Sequence, residues 1–175
     1  MFRILRESLR QGDKRSVAGV EMVVRSVKAN PELFASLLKC FDTDDEALNM
    51  RVADAMQKIL VANPRIAYPY VEELFDLFVL MDQKEIRWHM AQIIPKLKLN
   101  RNQTANAVEI WSHDIIFSKS MIVKTFSLQA IYDIADKDEK YRALFIKLAN
   151  RALKSDLPAL KARARVLKTQ HKWSM

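Results

Sequence analysis

The sequence is poor in glycine and cysteine, and it has no long uninterrupted apolar run. Two glycines in 175 residues leave few turns with positive φ, which argues against an all-β fold made of many hairpins. The single cysteine, Cys40, cannot form an internal disulfide. No run of about 18 apolar residues is present, so the sequence predicts no membrane insertion.

The N-terminal residues 1–11 alternate basic and apolar side chains, without the continuous apolar core of a signal peptide. Together with the lone cysteine, this pattern predicts a reducing, cytoplasmic location. Half of the residues are hydrophobic and 29% are charged, a mixture that is too apolar for a disordered chain. We therefore expect one folded domain over residues 1–175.

Positive charge is concentrated toward the C-terminus. The formal net charge is +8, yet residues 1–87 carry 13 basic and 14 acidic side chains, whereas residues 88–175 carry 16 and 7. Residues 140–175 alone hold 10 basic side chains and one acid, Asp156. A partner that is steered by electrostatics should approach this end of the chain.

Basic residues recur at intervals of 36 or 37 positions. They are Arg15, Arg51, Arg87, Lys124 and Lys161. After the first four of them, small or apolar residues follow four positions later, at Gly19, Ala55, Ala91 and Leu128. Apolar residues around each recur at helical spacing, which predicts amphipathic helices in a repeated array.

Breaks divide each repeat into two helices. Asn30-Pro31, Asn63-Pro64, Asn100-Arg101 and 136–138 interrupt the apolar pattern, and proline after asparagine suits a turn that restarts a helix. The predicted antiparallel pairs cover residues 14–42, 45–81, 83–117 and 119–154. A final capping helix is predicted from about residue 157.

The blocks ALNMRVADAMQKIL and KEIRWHMAQIIPKL resemble HEAT repeats, an ARM-like family of α-solenoids. Their shared pattern is an acidic residue, an apolar residue before arginine, and an alanine-containing face. It is formed by Asp45, Met50, Arg51, Ala53 and Ala55, and again by Glu85, Ile86, Arg87 and Ala91. A TPR-like or other α-hairpin array remains an alternative, although the TPR signature of Trp, Gly and Tyr is absent.

This resemblance implies an all-α, right-handed α-solenoid of about four antiparallel helix pairs with a C-terminal capping helix. Such arrays bury a continuous core between repeats and present an extended curved surface. The second helices of HEAT arrays line the concave side and commonly hold a partner. A non-catalytic scaffold for protein–protein interaction is therefore the first functional expectation.

Two basic stripes near the C-terminus support a second expectation, the binding of nucleic acid or another polyanion. At helical spacing, each stripe lies opposite an apolar face. The first stripe is Lys140, Lys147, Arg151 and Lys154, and the second is Lys161, Arg165, Lys168 and Lys172. A solvated outer face with a polar capping helix would give the same pattern, and for nucleic acid the sequence predicts backbone contact rather than base reading.

Glu72 and Asp76 share one helix face and are candidates for a groove, as are Trp111 and Asp114. Histidine and cysteine lack the spacing of metal ligands, so neither a metal nor another cofactor is expected. The two glycines cannot form a phosphate-binding loop, and no nucleophile motif is present, so we expect no enzyme. The remaining alternative is a HEAT-like alkyl-base DNA glycosylase, with Trp111, Asp114 and Arg151 in its groove.

Overall fold

All regular structure in the described part of the chain is helical. The computed structural model describes residues 2–10, 18–41, 44–170 and Trp173, and these residues form ten α-helices and three 3₁₀ helices without a strand. The predicted all-α class is therefore confirmed. Arg15, the first residue of the basic series, and Lys172, the last candidate anion ligand, lie outside the described residues.

Every helix from the second onward lies within a predicted interval. The first six are α1 Phe2–Arg10, α2 Ala18–Ala29, α3 Leu33–Leu38, α4 Glu46–Ala62, α5 Val71–Leu80 and α6 Lys84–Ile93. The others are α7 Arg101–Phe117, α8 Met121–Lys137, α9 Arg142–Leu153 and α10 Pro158–Gln170. The 3₁₀ helices are Pro64–Tyr70, Ile94–Lys96 and Glu139–Tyr141. The first helix, α1, is absent from the sequence-based prediction.

The chain divides into two compact units, Met1–Lys98 and Leu99–Met175. The division falls between α6 and α7, inside the third predicted pair. In a repeat protein each repeat contacts only its neighbours, so compact units can also arise within one domain. One domain over residues 1–175 accordingly stays a prediction.

Polar residues end and begin the helices at the predicted breaks. The Asn63 side chain accepts a hydrogen bond from the Arg65 amide at 3.3 Å, in the turn after α4. Asn100 and Gln103 form a reciprocal capping box at the start of α7, with both hydrogen bonds at 2.9 Å. These contacts satisfy amides that a helix N-terminus leaves without an intrahelical partner, which explains why the chain restarts there.

In the first unit, α2, α4 and α6 pack side by side, and α1 packs against α2, α3 and α4. The apolar faces of these helices supply the core, with Val20, Val27, Met56 and Ile86 fully buried. Gly19 permits the approach of α1, because a Cβ at this position would overlap the backbone carbonyl oxygen of Ser8. Gly19, the small residue four positions after Arg15, is thus required by the close packing of α1 and α2.

Three of the repeated basic residues, Arg51, Arg87 and Lys124, bind carbonyl groups at the ends of helices. Arg51 donates from Nη1 to Leu9 O at 2.8 Å, and Arg87 donates from Nη1 to Phe78 O at 3.3 Å. Lys124 Nζ donates to the carbonyl oxygens of Ile115 and Ile116 at 2.9 and 2.8 Å. The last turn of a helix has carbonyls without intrahelical partners and a partial negative charge, so a cation suits it.

In the second unit, α8 packs against α7, α9 and α10, and α9 packs against α10. Trp173 lies against this group after α10 has ended. Its ring is stacked on Tyr132 with centroids 5.5 Å apart, and its Nε1 donates to Asp136 Oδ1 at 3.1 Å. The Arg142 guanidinium lies 5.3 Å from the centroid of the same ring. Trp173 therefore contacts residues of both α8 and α9.

Candidate anion-binding surface

Two adjacent helices of the second unit each carry three basic side chains at the same spacing. Lys147 and Arg151 lie on α9 and Lys154 is its C-cap residue, so the three occupy positions i, i+4 and i+7. Lys161, Arg165 and Lys168 repeat the spacing on α10. On both helices the buried apolar residues occupy another face, so the six side chains lie outside the core, with Lys161 and Lys168 half-buried at its edge. We call these six residues the α9–α10 surface.

Hydrogen bonds to neighbouring helices show which way α10 is turned. Lys168 Nζ donates to Asn150 Oδ1 on α9 at 2.8 Å. Arg163, on another side of α10, donates from Nη1 to Gln129 Oε1 on α8 at 3.2 Å. The stripe that contains Lys168 is thus on the side of α10 that faces α9. Asn150 is three positions after Lys147 and four before Lys154, so Lys168 lies beside the α9 stripe.

The α9–α10 surface has little negative charge to compensate it. Four of its side chains are exposed, and Lys161 and Lys168 are partly exposed. None of the ion pairs found among the described residues includes any of the six. Asp156, the one acid after residue 139, lies exposed in the turn between the two helices. Six cations in a segment with one acid produce a strongly positive surface.

Arg151 adds to this potential through its position near Lys124. The Lys124 ammonium is held by two carbonyls at the end of α7. Burial and then the positive charge of Arg151 lower the pKa of Lys124 below its ordinary value. The two cations therefore repel one another, and an anion bound at Arg151 would relieve that repulsion.

Lys140 differs from the other predicted residues of its stripe. It lies in the 3₁₀ helix Glu139–Tyr141, before α9 begins at Arg142. Its Nζ is 3.1 Å from Asp138 Oδ2, and it also lies over the Tyr141 ring, 4.7 Å from the centroid. Hydrogen bonding to Asp138 raises the pKa of Lys140. Its charge is already balanced, so Lys140 is not part of the α9–α10 surface.

The four groove candidates lie in different environments. Glu72 and Asp76 are exposed on α5 in the first unit. On α7 in the second unit, Trp111 is fully buried and Asp114 retains 7% of its exposure. The side chains of Trp111 and Asp114 thus belong to the core in this structure. A helical pattern alone could not separate core residues from groove-lining residues at these two positions.

His89 and His113 each lie against an aromatic ring. Trp88 is stacked on His89 with ring centroids 3.5 Å apart. The ring centroids of His113 and Phe117 are 4.8 Å apart. No group of three or more potential metal ligands occurs among the residues described. Within the same residues, no helix combines the length and apolar character needed to cross a bilayer.

Comparison of the chain with protein-family models, with curated proteins and with solved structures finds no match. Interpretation of the α9–α10 surface therefore depends on its own geometry and charge. Its residues could be located from helical spacing and net charge. Their side-by-side placement depends on how α9 packs against α10, and sequence spacing carries no signal for that.

Proposed function

We propose that this chain is a non-catalytic, cytoplasmic HEAT-like scaffold that binds the phosphate backbone of duplex nucleic acid through the α9–α10 surface. The observation that carries this proposal is the pair of adjacent stripes with six cations that form no ion pair among the described residues. Clustered Lys and Arg side chains bind nucleic acid by displacing the counterions that surround its phosphates.

The HEAT-like part of the proposal is supported by contacts that repeat along the chain. In the first unit, Lys58 Nζ on α4 donates to Glu21 Oε1 on α2 at 2.7 Å. On the other side of α4, Gln57 Nε2 donates to Gln92 Oε1 on α6 at 3.2 Å. In the second unit, Arg163 and Gln129 make a similar contact at 3.2 Å. The partners are 37, 35 and 34 positions apart, close to the period of the basic residues. Such spacing suits helix pairs that stack on their neighbours within each unit, as in a HEAT-like array.

The regularity of the stripes favours contact with phosphates. Seven residues of α-helix advance about 10 Å, so each stripe presents three positive charges over that distance. Proteins that read unpaired bases use aromatic side chains as stacking platforms. Trp173 is the nearest candidate, but Tyr132 and Arg142 already lie against its ring. Binding without sequence preference is therefore expected.

Other anionic partners fit this surface less well. Val166 is the one large apolar side chain from α9 or α10 among the exposed hydrophobic residues, so apolar insertion into a membrane has little support. Protein binding in a groove, the first expectation from the sequence, relied partly on Trp111 and Asp114, whose side chains are buried. Uncompensated charge is the more prominent feature of the surface.

The decisive experiment compares two variants with the same net charge. The first replaces Lys147, Arg151, Arg165 and Lys168 with Glu on the α9–α10 surface. The second is the control, and it makes the same replacement at four exposed positions of the first unit, Lys28, Lys39, Arg65 and Lys96. Both changes take the formal charge from +8 to zero.

Fluorescence anisotropy with a labelled duplex of arbitrary sequence at low salt gives the affinity of each variant. We expect at least about a hundredfold loss for the surface variant and less than about tenfold for the control. Equal losses would show that net charge, not this surface, determines binding. Absence of duplex binding by the wild-type chain would refute the proposal, and a stronger preference for anionic vesicles or polyglutamate would assign another partner class.

A further inference from the structure

A groove on the first unit lies where α4 and α6 begin and α5 ends. Two adjoining cavities of about 520 and 370 Å³ form it, and both are lined by Glu46 and Gln83. Volumes of this order are typical of protein cavities that bind ligands. Met50 lines one cavity, and Leu77 and Leu80 line the other. We call the two cavities together the α4–α6 groove.

The groove has an exposed apolar wall. Leu80, the last residue of α5, is 80% exposed, more than any other large hydrophobic residue described. Leu77 and Met81 are partly exposed beside it and line the same cavity. Leu77, Leu80 and Met81 together form one apolar side of this cavity.

Acidic side chains surround this wall. Glu46 and Asp82 are exposed, and neither takes part in an ion pair found among the described residues. Glu85 is 3.6 Å from Lys84, so its charge is partly compensated. Glu46 and Glu85 each lie in the first turn of a helix, where the helix dipole favours a negative charge. Asp82 lies outside the first turn of α6, because Gln83 is the N-cap residue of that helix.

Hydrogen bonds join the two sides of the groove. Gln83 donates from Nε2 to the backbone oxygen of Glu46 at 2.9 Å, which connects the start of α4 to the segment before α6. The same Nε2 lies 3.3 Å from Glu85 Oε2. A groove held in this way is already formed before a partner arrives, which reduces the entropy lost on binding.

We propose that the α4–α6 groove docks a short basic, amphipathic segment of a partner protein. A large apolar side chain of that segment packs against Leu77, Leu80 and Met81. Lysine or arginine residues on either side of it face the carboxylates of Glu46 and Asp82. The proposal for this groove does not depend on the proposed nucleic-acid contact in the second unit. The basic partner is inferred from charge complementarity around an apolar wall.

A library of random displayed peptides, selected on the full chain and depleted on the variant Leu80→Asn, tests the proposal. We expect the enriched peptides to combine large apolar residues with Lys or Arg. Anisotropy with a labelled enriched peptide should show at least about a tenfold loss of affinity for Leu80→Asn and a smaller loss for Asp82→Asn.

Matched controls are available on the same unit. Val61 is 48% exposed and Asp76 is exposed, and neither lines the groove, so Val61→Asn and Asp76→Asn should leave affinity unchanged. The quadruple Glu variant of the α9–α10 surface should also bind the peptide normally, which separates this result from the proposed function.

Several results would overturn the inference. Enrichment of acidic peptides, or of no peptide that depends on Leu80, would contradict the expected partner chemistry. A concentration-dependent dimer in sedimentation that disappears in Leu80→Asn would identify a second copy of the chain as the occupant instead.

Discussion

Lowering the pH should destabilise the protein through His89 on α6. This side chain is 2% exposed and stacked on Trp88, and its Nδ1 has no hydrogen-bond partner among the described residues. Burial, assisted by the positive charge of Lys58, lowers the pKa of His89 from 6.5 to about 3. The folded protein therefore keeps this imidazole neutral at pH values where the unfolded chain protonates it.

The sign and size of the effect follow from proton linkage. Because the folded pKa lies below the unfolded value, the full stability is present above about pH 6.5 and is lost as the pH falls toward about 3. Each pH unit inside that window costs about 1.4 kcal/mol. Between about pH 7.5 and about pH 5, the contribution of His89 amounts to a loss of about 2 kcal/mol.

Urea unfolding followed by circular dichroism at both pH values measures this loss. His89→Phe retains an aromatic ring on Trp88 but cannot bind a proton. Between the two pH values, the free energy of unfolding of this variant should therefore fall by about 2 kcal/mol less than that of the wild type. His113→Phe, at an exposed histidine, is the control and should follow the wild type. If His89→Phe and the wild type lose equal stability, the buried neutral imidazole is not the cause.

Gly19→Ala should destabilise the first unit by about 1–3 kcal/mol, because its Cβ overlaps the Ser8 carbonyl. Met22→Ala, at an exposed position of the same helix, should change the free energy of unfolding much less. Lys124→Met should cost about 1–2 kcal/mol by removing two hydrogen bonds to carbonyls, whereas Lys119→Met at an exposed site should be nearly neutral. Incubation with alkylated duplex DNA should release no free base, and lesion-dependent release detected by chromatography would restore the glycosylase alternative.

Helix positions were accessible from the sequence because breaks and apolar spacing are local signals. Two members of the basic period also have a local role, since Arg87 and Lys124 bind carbonyls eight or nine positions earlier in the chain, whereas Arg51 binds Leu9, 42 positions earlier. The helix α1 was missed although its buried residues Leu5, Ser8 and Leu9 stand at helical spacing, which is a local signal. Its nine residues are too few for a stable isolated helix, and it is held by burial of Leu5 and Leu9 and by its close approach to Gly19.

The candidate site was predictable in composition but not in arrangement. Helical spacing identifies Lys147, Arg151 and Lys154 as one stripe, whereas the 3₁₀ helix that removes Lys140 from it depends on the local turn. Burial of Trp111 depends on packing between helices, which its spacing alone does not reveal. The α4–α6 groove likewise depends on three helix ends meeting, so no single segment predicts it.

Salt dependence of duplex affinity tests the central claim most directly. If the six residues of the α9–α10 surface contact phosphates, a plot of log affinity against log salt should have a slope of about −5, and affinity should fall about 10³-fold between about 50 and 200 mM salt. The quadruple surface variant should have a slope of about −2 or shallower, while the control variant with the same net charge keeps the wild-type slope. A surface variant with the wild-type slope would contradict the assignment of nucleic-acid binding to α9 and α10.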